Sequence, residues 1–211
     1  PRSTLFPYTT LFRSKANKFF QQRRKDRSKR RDHPELRGVG ERCVVGFGSS
    51  GGPPMMNVLY NNHYQIVQSP GYVMIMAEMV HDARIIRFDG KHPPQNITPW
   101  RGDSIGDWEG NTLVVETTNF NPQHTFRGGL RHFFAITSGA IVTERFTRIS
   151  KDQILYRFYV DDPDIYSQVW AGEMPLRSVE DKIYEYACHE GNYSMANILA
   201  GAREEIGRAH V

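Results

Sequence analysis

Two short stretches carry the side chains that could do proton chemistry. The run AEMVHDARII, residues 77–86, holds Glu78, His81 and Asp82, and YACHEGNY, residues 186–193, holds His189 and Glu190. An imidazole beside a carboxylate can serve as a general base or a metal ligand. His81, Asp82, His189 and Glu190 are therefore the candidate catalytic residues. Neither stretch has HExxH spacing, so no metal site is expected. A plainer role is also open: a hydrogen-bonded turn, which at His189 would orient a following helix.

A second set could grip a ligand. Glu144, Arg145, Arg157, Tyr159, Trp170 and Trp108 fall within runs that read as strands. If Ile149 faces Ile154 across a hairpin, Phe146 opposes Arg157 and Glu144 opposes Tyr159, which makes Glu144 and Arg157 diagonal neighbours. These polar groups could line a cavity inside a barrel. They could equally be a surface cross-strand pair. In the preceding hairpin, pairing across Gly110–Asn111 sets Trp108 against Leu113, with Glu116 on the other face and facing solvent.

The elements that must hold these residues are mostly strands. Runs at 64–68, 72–80, 83–88, 105–109, 112–118, 141–149, 154–160, 166–173 and 183–187 alternate or are continuously apolar, and turn residues punctuate them. Near the end, Met195, Ile198, Leu199 and Ala202 recur at helical spacing, with Asn192 or Ser194 as N-cap. No strand–helix–strand alternation appears. The expected fold is mainly β: an antiparallel meander forming a barrel or a strongly curved sheet, with a C-terminal helix and a charged N-terminal helix.

The charge is unevenly spread. The chain is formally +4 overall, but residues 15–31 hold nine Lys/Arg and one Asp. Removing their +8 and the +2 of residues 1–14 from +4 leaves −6 for 32–204, because residues 205–211 sum to zero. The body is thus not expected to bind nucleic acid. No apolar run is long enough for a membrane-spanning helix. The Gly/Ser/Pro stretch VVGFGSSGGPP, residues 44–54, lacks the GK[ST] ending of a phosphate-binding loop, reads as a connector, and leaves no cofactor fingerprint. Cys43 and Cys188 are the two cysteines, far apart and outside any CxxC pair. They are either free and buried or one long-range bridge.

The ends fit nothing between them. TLFPYTTLFRS, residues 4–14, and EIGRAHV, residues 205–211, back-translate into the two short-read sequencing adapters in the expected orientation. On that reading 1–14 and 205–211 are adapter-derived and excluded from fold reasoning. Residues 15–31 are a basic helical or disordered segment, and 32–204 form one β-rich domain. The two end segments are expected to make few contacts with it.

The blocks ERC (41–43), YNNHYQIVQSPGYVMI (60–75), EMVHDARII (78–86), GDSIGDWEGNTLVVETTNF (102–120), ERFTRI (144–149), VDDP (160–163) and YEYACHEGNY (184–193) resemble a family of bacterial proteins common in environmental genomes. Its members usually carry a signal peptide, and no activity is established for them. His63, where the family usually has Asn, and the apolar stretch 133–139 depart from its pattern. The resemblance implies a periplasmic or secreted location, and with it an oxidising compartment that favours a Cys43–Cys188 disulfide. It supplies no catalytic residue.

Two functions follow as expectations. The first is a β-barrel-like protein that binds a small molecule. The alternative is a lyase, isomerase or hydrolase using histidine–carboxylate acid–base chemistry on the same scaffold. The two part on convergence: an enzyme needs His81 or His189 to open into the cavity that holds Glu144 and Arg157.

Overall fold

The computed structural model describes residues 12–25, 31–128 and 133–208. Strands β1 (Tyr64–Ser69), β2 (Tyr72–Ala77), β3 (Asp82–Arg87), β4 (Asp103–Glu109), β5 (Thr112–Thr118), β8 (Ile141–Ser150), β9 (Gln153–Asp161) and β10 (Trp170–Arg177) form one eight-stranded sheet in that order. The short strands β6 (Phe126–Gly128) and β7 (Phe133–Ala135) pair separately as an excursion between β5 and β8. Helix α1 spans Ser14–Lys25 and helix α2 spans Tyr193–Arg208. The sheet is a curled half-barrel: β1 and β10 are its two edges and do not pair with each other. Every neighbouring pair in it is antiparallel except β3–β4, which run parallel over two residue pairs after the long crossover at 88–102.

The strands form because apolar side chains alternate. Val73, Ile75, Ile86, Leu113, Val115, Val142, Phe146, Tyr156, Phe158 and Val160 point to the concave face and are buried there. Phe120, Phe134, Ile136, Ile165, Tyr166 and Met55 close over them. Trp170 meets Phe134, Phe158 and Tyr166 edge-on, with ring centroids 5.5–5.7 Å apart. Pro175 sits in β10, an edge strand, where its missing N–H costs no ladder bond.

Three expected strands are placed differently: the run 72–80 ends as a strand at Ala77, and Met79–His81 form a single 3-10 turn. Residues 183–187 are not a strand. Their backbone is drawn away from the β10 edge by the Tyr186 N–H, which donates to His81 Nδ1 at 3.0 Å, and by the bridge at Cys188. The last strand begins at Trp170 rather than at 166, because the Tyr166 N–H turns back to the Asp162 carbonyl at 2.8 Å.

The β8–β9 register also differs from the expected one. Arg148 pairs with Ile154 and Ser150 with Gln153, so Ile149 is an extra, bulged residue that is 52% exposed. One inserted residue shifts every pair beyond it by one and inverts the faces of one strand relative to the other. Phe146 therefore opposes Tyr156, and Glu144 opposes Phe158. The first hairpin keeps the expected register, with Trp108 opposite Leu113.

Of the segments read as adapter, residues 1–11 and 209–211 lie outside the described residues. Phe12 and Arg13 touch the body, against the expectation of few contacts. Phe12 bridges to Tyr166, and the Arg13 N–H donates to the Ile165 carbonyl at 2.8 Å. Phe12 and Phe20 of α1 lie edge to face, 5.6 Å apart. Apolar rings pack wherever an apolar surface is open to them, so this contact is neutral as to the segment's origin.

Cys43 and Cys188 form a disulfide with Cα atoms 5.7 Å apart, closing a loop with a sequence separation of 145. Asn192, just ahead of α2, donates to the Glu41 carbonyl at 2.8 Å and so ties the helix to the same corner. Replacing both cysteines by alanine is expected to lower stability by up to about 5 kcal/mol on the loop-entropy scale. The check is chemical denaturation of the variant against the oxidised protein.

Candidate functional sites

The centre of the concave face is ionic. Arg84 of β3 and Glu144 of β8 occupy inward positions, between Ile86 on one strand and Val142 and Phe146 on the other. Both side chains are buried, at 3% and 0% exposure. The guanidinium grips the carboxylate with both terminal nitrogens: Arg84 Nη1 donates to Glu144 Oε2, and Nη2 to Oε1 at 3.1 Å. Tyr156 Oη donates to Glu144 Oε1 at 2.6 Å and accepts from the Met55 N–H at 2.8 Å. Burial opposes the charge on Arg84. The Glu144 carboxylate outweighs it and holds the guanidinium above its ordinary range. Burial, then the same carboxylate, pushes the Tyr156 phenol well above its usual range.

Two further arginines join this centre. Arg101 Nε donates to Asp82 Oδ2 at 2.5 Å, and its Nη1 reaches the Gly52 carbonyl at 3.4 Å. Arg127, 1% exposed, donates through Nη1 to the Pro53 carbonyl at 2.8 Å and to Ser49 Oγ at 3.3 Å, and its guanidinium lies 5.5 Å from the Phe120 ring centre. No carboxylate pairs with it among the described residues. Burial, then Arg101 and Arg84, pull Arg127 down to about 9. Tyr64 Oη donates to the Ser50 carbonyl at 2.5 Å, and burial raises its phenol to about 12. The 44–54 connector is thus a plug, whose carbonyls accept the donors of the concave face.

An open groove lies at the seam where the two sheet edges approach. Its volume is about 900 Å³, and it is lined on one side by His63 and by Tyr64 and Ile66 of β1, and on the far side by Ile154, Leu176 and Lys182. His63 Nδ1 meets Glu78 Oε2 at 3.0 Å, with the imidazole 43% and the carboxylate 6% exposed. His81 borders the same groove. Val80 and His81 both have left-handed backbone, with φ of 66° and 51°. For a β-branched valine that is a strained conformation, costing on the order of 1–3 kcal/mol.

The candidate catalytic residues do come together. His81, Asp82, His189 and Glu190 border one surface depression of about 480 Å³ beside the disulfide. They do not share space with the ligand candidates. His81 Nδ1 is occupied by a backbone N–H, Asp82 by Arg101, and His189 and Glu190 are exposed. Among the ligand candidates, Glu144 is sealed in the core. Arg145 and Arg157 face outward as neighbours and pair with Glu109 and Glu173, each at 2.6 Å. The bulge at Ile149 is why Arg157 and Tyr159 leave the face that Glu144 occupies. Trp170 is half-buried against the core, and Trp108 is 44% exposed against Phe88 at 6.2 Å. Glu116 is more than half exposed, as expected.

Sequence reasoning missed Arg84, Arg101, Arg127 and the His63–Glu78 pair. A signal for the first was present: Arg84 shares strand parity with Ile86, and Glu144 shares it with Val142 and Phe146, so opposite charges sat on inward positions. Arg101 lies in Arg101–Gly102–Asp103, which reads as a simple turn. Nothing local marks Arg127, whose acceptors are loop carbonyls. No described group of histidine, cysteine and acidic side chains has the arrangement of a metal site. No family model, curated protein or solved structure matches the chain.

Two outcomes test the ionic centre. Glu144→Gln leaves Arg84 charged and buried, and is expected to cost about 3–5 kcal/mol in denaturant unfolding. His124 is buried beside Arg127, and burial, then that arginine, drive its imidazole down to about 2. Unfolded histidine binds a proton near pH 6.5 and the folded one does not, so its contribution falls as pH drops from about 6.5 toward 2. Stability of the wild type minus that of His124→Gln should decline over this window by at most about 1.4 kcal/mol per pH unit. A flat difference between pH 4 and pH 6.5, measured by denaturant titration, would contradict the assignment.

Proposed function

We propose that this half-barrel is an exported protein that binds a small amphipathic anion in the seam groove. The observation that carries it is the groove itself. It joins apolar Ile66, Ile154 and Leu176 to four cationic side chains, Arg148, Lys151, Arg177 and Lys182, against two acidic ones, Asp152 and Asp181. An apolar tail with a carboxylate or sulfonate head fits that combination: the tail displaces water from the apolar side chains and the head meets the rim. The disulfide supports export, since such bonds persist in oxidising compartments. No described helix is long and apolar enough to cross a membrane.

The enzyme reading has one observation of its own. His63 lies in the groove with a buried carboxylate on Nδ1, the arrangement that orients an imidazole as a general base. Sealed Glu144 and backbone-capped His81 argue against the histidine–carboxylate set expected from the sequence.

Calorimetric titration with decanoate and with decanol separates the groups. Decanoate is expected to bind, decanol at least tenfold more weakly, and Leu176→Arg to abolish both. Equal binding of acid and alcohol removes the role of the cationic rim, and no heat from either sinks the proposal. Mass spectrometry of candidate esters after incubation, with His63→Asn as control, reports turnover.

A further inference from the structure

We propose that Arg84, Arg101 and Arg127 form a second, buried site for an oxyanion, a phosphate or carboxylate group, gated by residues 46–54. It is independent of the seam groove. Three guanidiniums converge there on two carboxylates, Glu144 and Asp82, leaving one positive charge in excess. Arg127 is the unmatched one. Its Nε and Nη2, Arg101 Nη2, Arg84 Nε and Ser50 Oγ are all buried without a hydrogen-bond partner. Most buried polar side-chain atoms of a folded protein find a partner, and clustered donors of one sign mark the place of an acceptor.

The acceptors now in place are neutral and incomplete. Pro53 O and Ser49 Oγ take one nitrogen of Arg127, and Gly52 O takes one of Arg101 at 3.4 Å. An oxyanion would bring a full charge and several lone pairs to the same donors. The loop that stands in for it is built to lie on guanidiniums. A Cβ at Gly51 would fall 1.6 Å from Arg101 Nη1, so with Arg101 held on Asp82 the approach requires glycine. Gly52 has φ +66°, a conformation that glycine adopts at no steric cost. The loop belongs to no sheet: Ser50 N donates to Phe47 O and Gly52 N to Ser49 O within it, and the side chains of Tyr64, Arg101 and Arg127 hold its carbonyls, so lifting it releases those donors without breaking a strand.

The test is calorimetric titration of the full chain with inorganic phosphate, then acetate, at fixed ionic strength. Wild type is expected to bind phosphate saturably, and Arg127→Met to bind it at least tenfold more weakly. A buried cation replaced by an apolar chain of similar length usually keeps the fold. Arg127→Lys, which keeps charge but loses the planar fork, is a second variant and is expected to be weakened as well. Amide exchange at Ser50 and Gly52 should quicken in phosphate. Lack of saturable binding by wild type overturns the proposal, as does unchanged affinity in a folded Arg127 variant. Loss of binding in Arg177→Gln or Lys182→Gln instead would place phosphate on the groove rim and overturn it too. Unaltered exchange with intact binding overturns the gate.

Discussion

The structure depends on one buried ion pair. Arg84 and Glu144 meet at the centre of the concave face, both sealed from bulk solvent. Each ion costs several kcal/mol to desolvate, and geometry must return most of it. That geometry is supplied from three directions. β3 brings the guanidinium, β8 the carboxylate, and β9 the Tyr156 hydroxyl, which passes the constraint on to the Met55 N–H. The strand order, the curl of the sheet and the path of the 44–57 segment must all agree for those contacts to close.

The same requirement explains why the sheet is covered by a loop rather than by a second apolar sheet. A purely apolar lid would leave Arg101, Arg127 and the Tyr64 hydroxyl unmet. A glycine-rich backbone presents carbonyls at close range with no side chains in the way, and Ser50, Gly52 and Pro53 provide them. The disulfide and the Asn192–Glu41 bond hold this segment to the far corner of the sheet. They also draw residues 183–187 off the β10 edge. The seam stays open as a groove, and His63 and His81 sit on its border.

Most of the strands were legible from alternation and turn residues, and so were the C-terminal helix and the Trp108–Leu113 hairpin. Each is set by contacts within a few residues. The β8–β9 register was not, because a bulge is a choice about one residue, Ile149, that packing makes and composition does not. The disulfide was expected through a resemblance, and local spacing left it open.

Sequence alone thus determined most of the strands and the alternation that gives Arg84 and Glu144 the parity of their apolar neighbours. Only the tertiary structure decided which charges meet. Arg84 and Glu144 are 60 residues apart, and Arg127 reaches Pro53 across 74. The physical reason is that a buried charge is stabilised by whatever acceptor the fold delivers within about 3 Å, and strand order and register set that delivery, not the residue's neighbours in the chain.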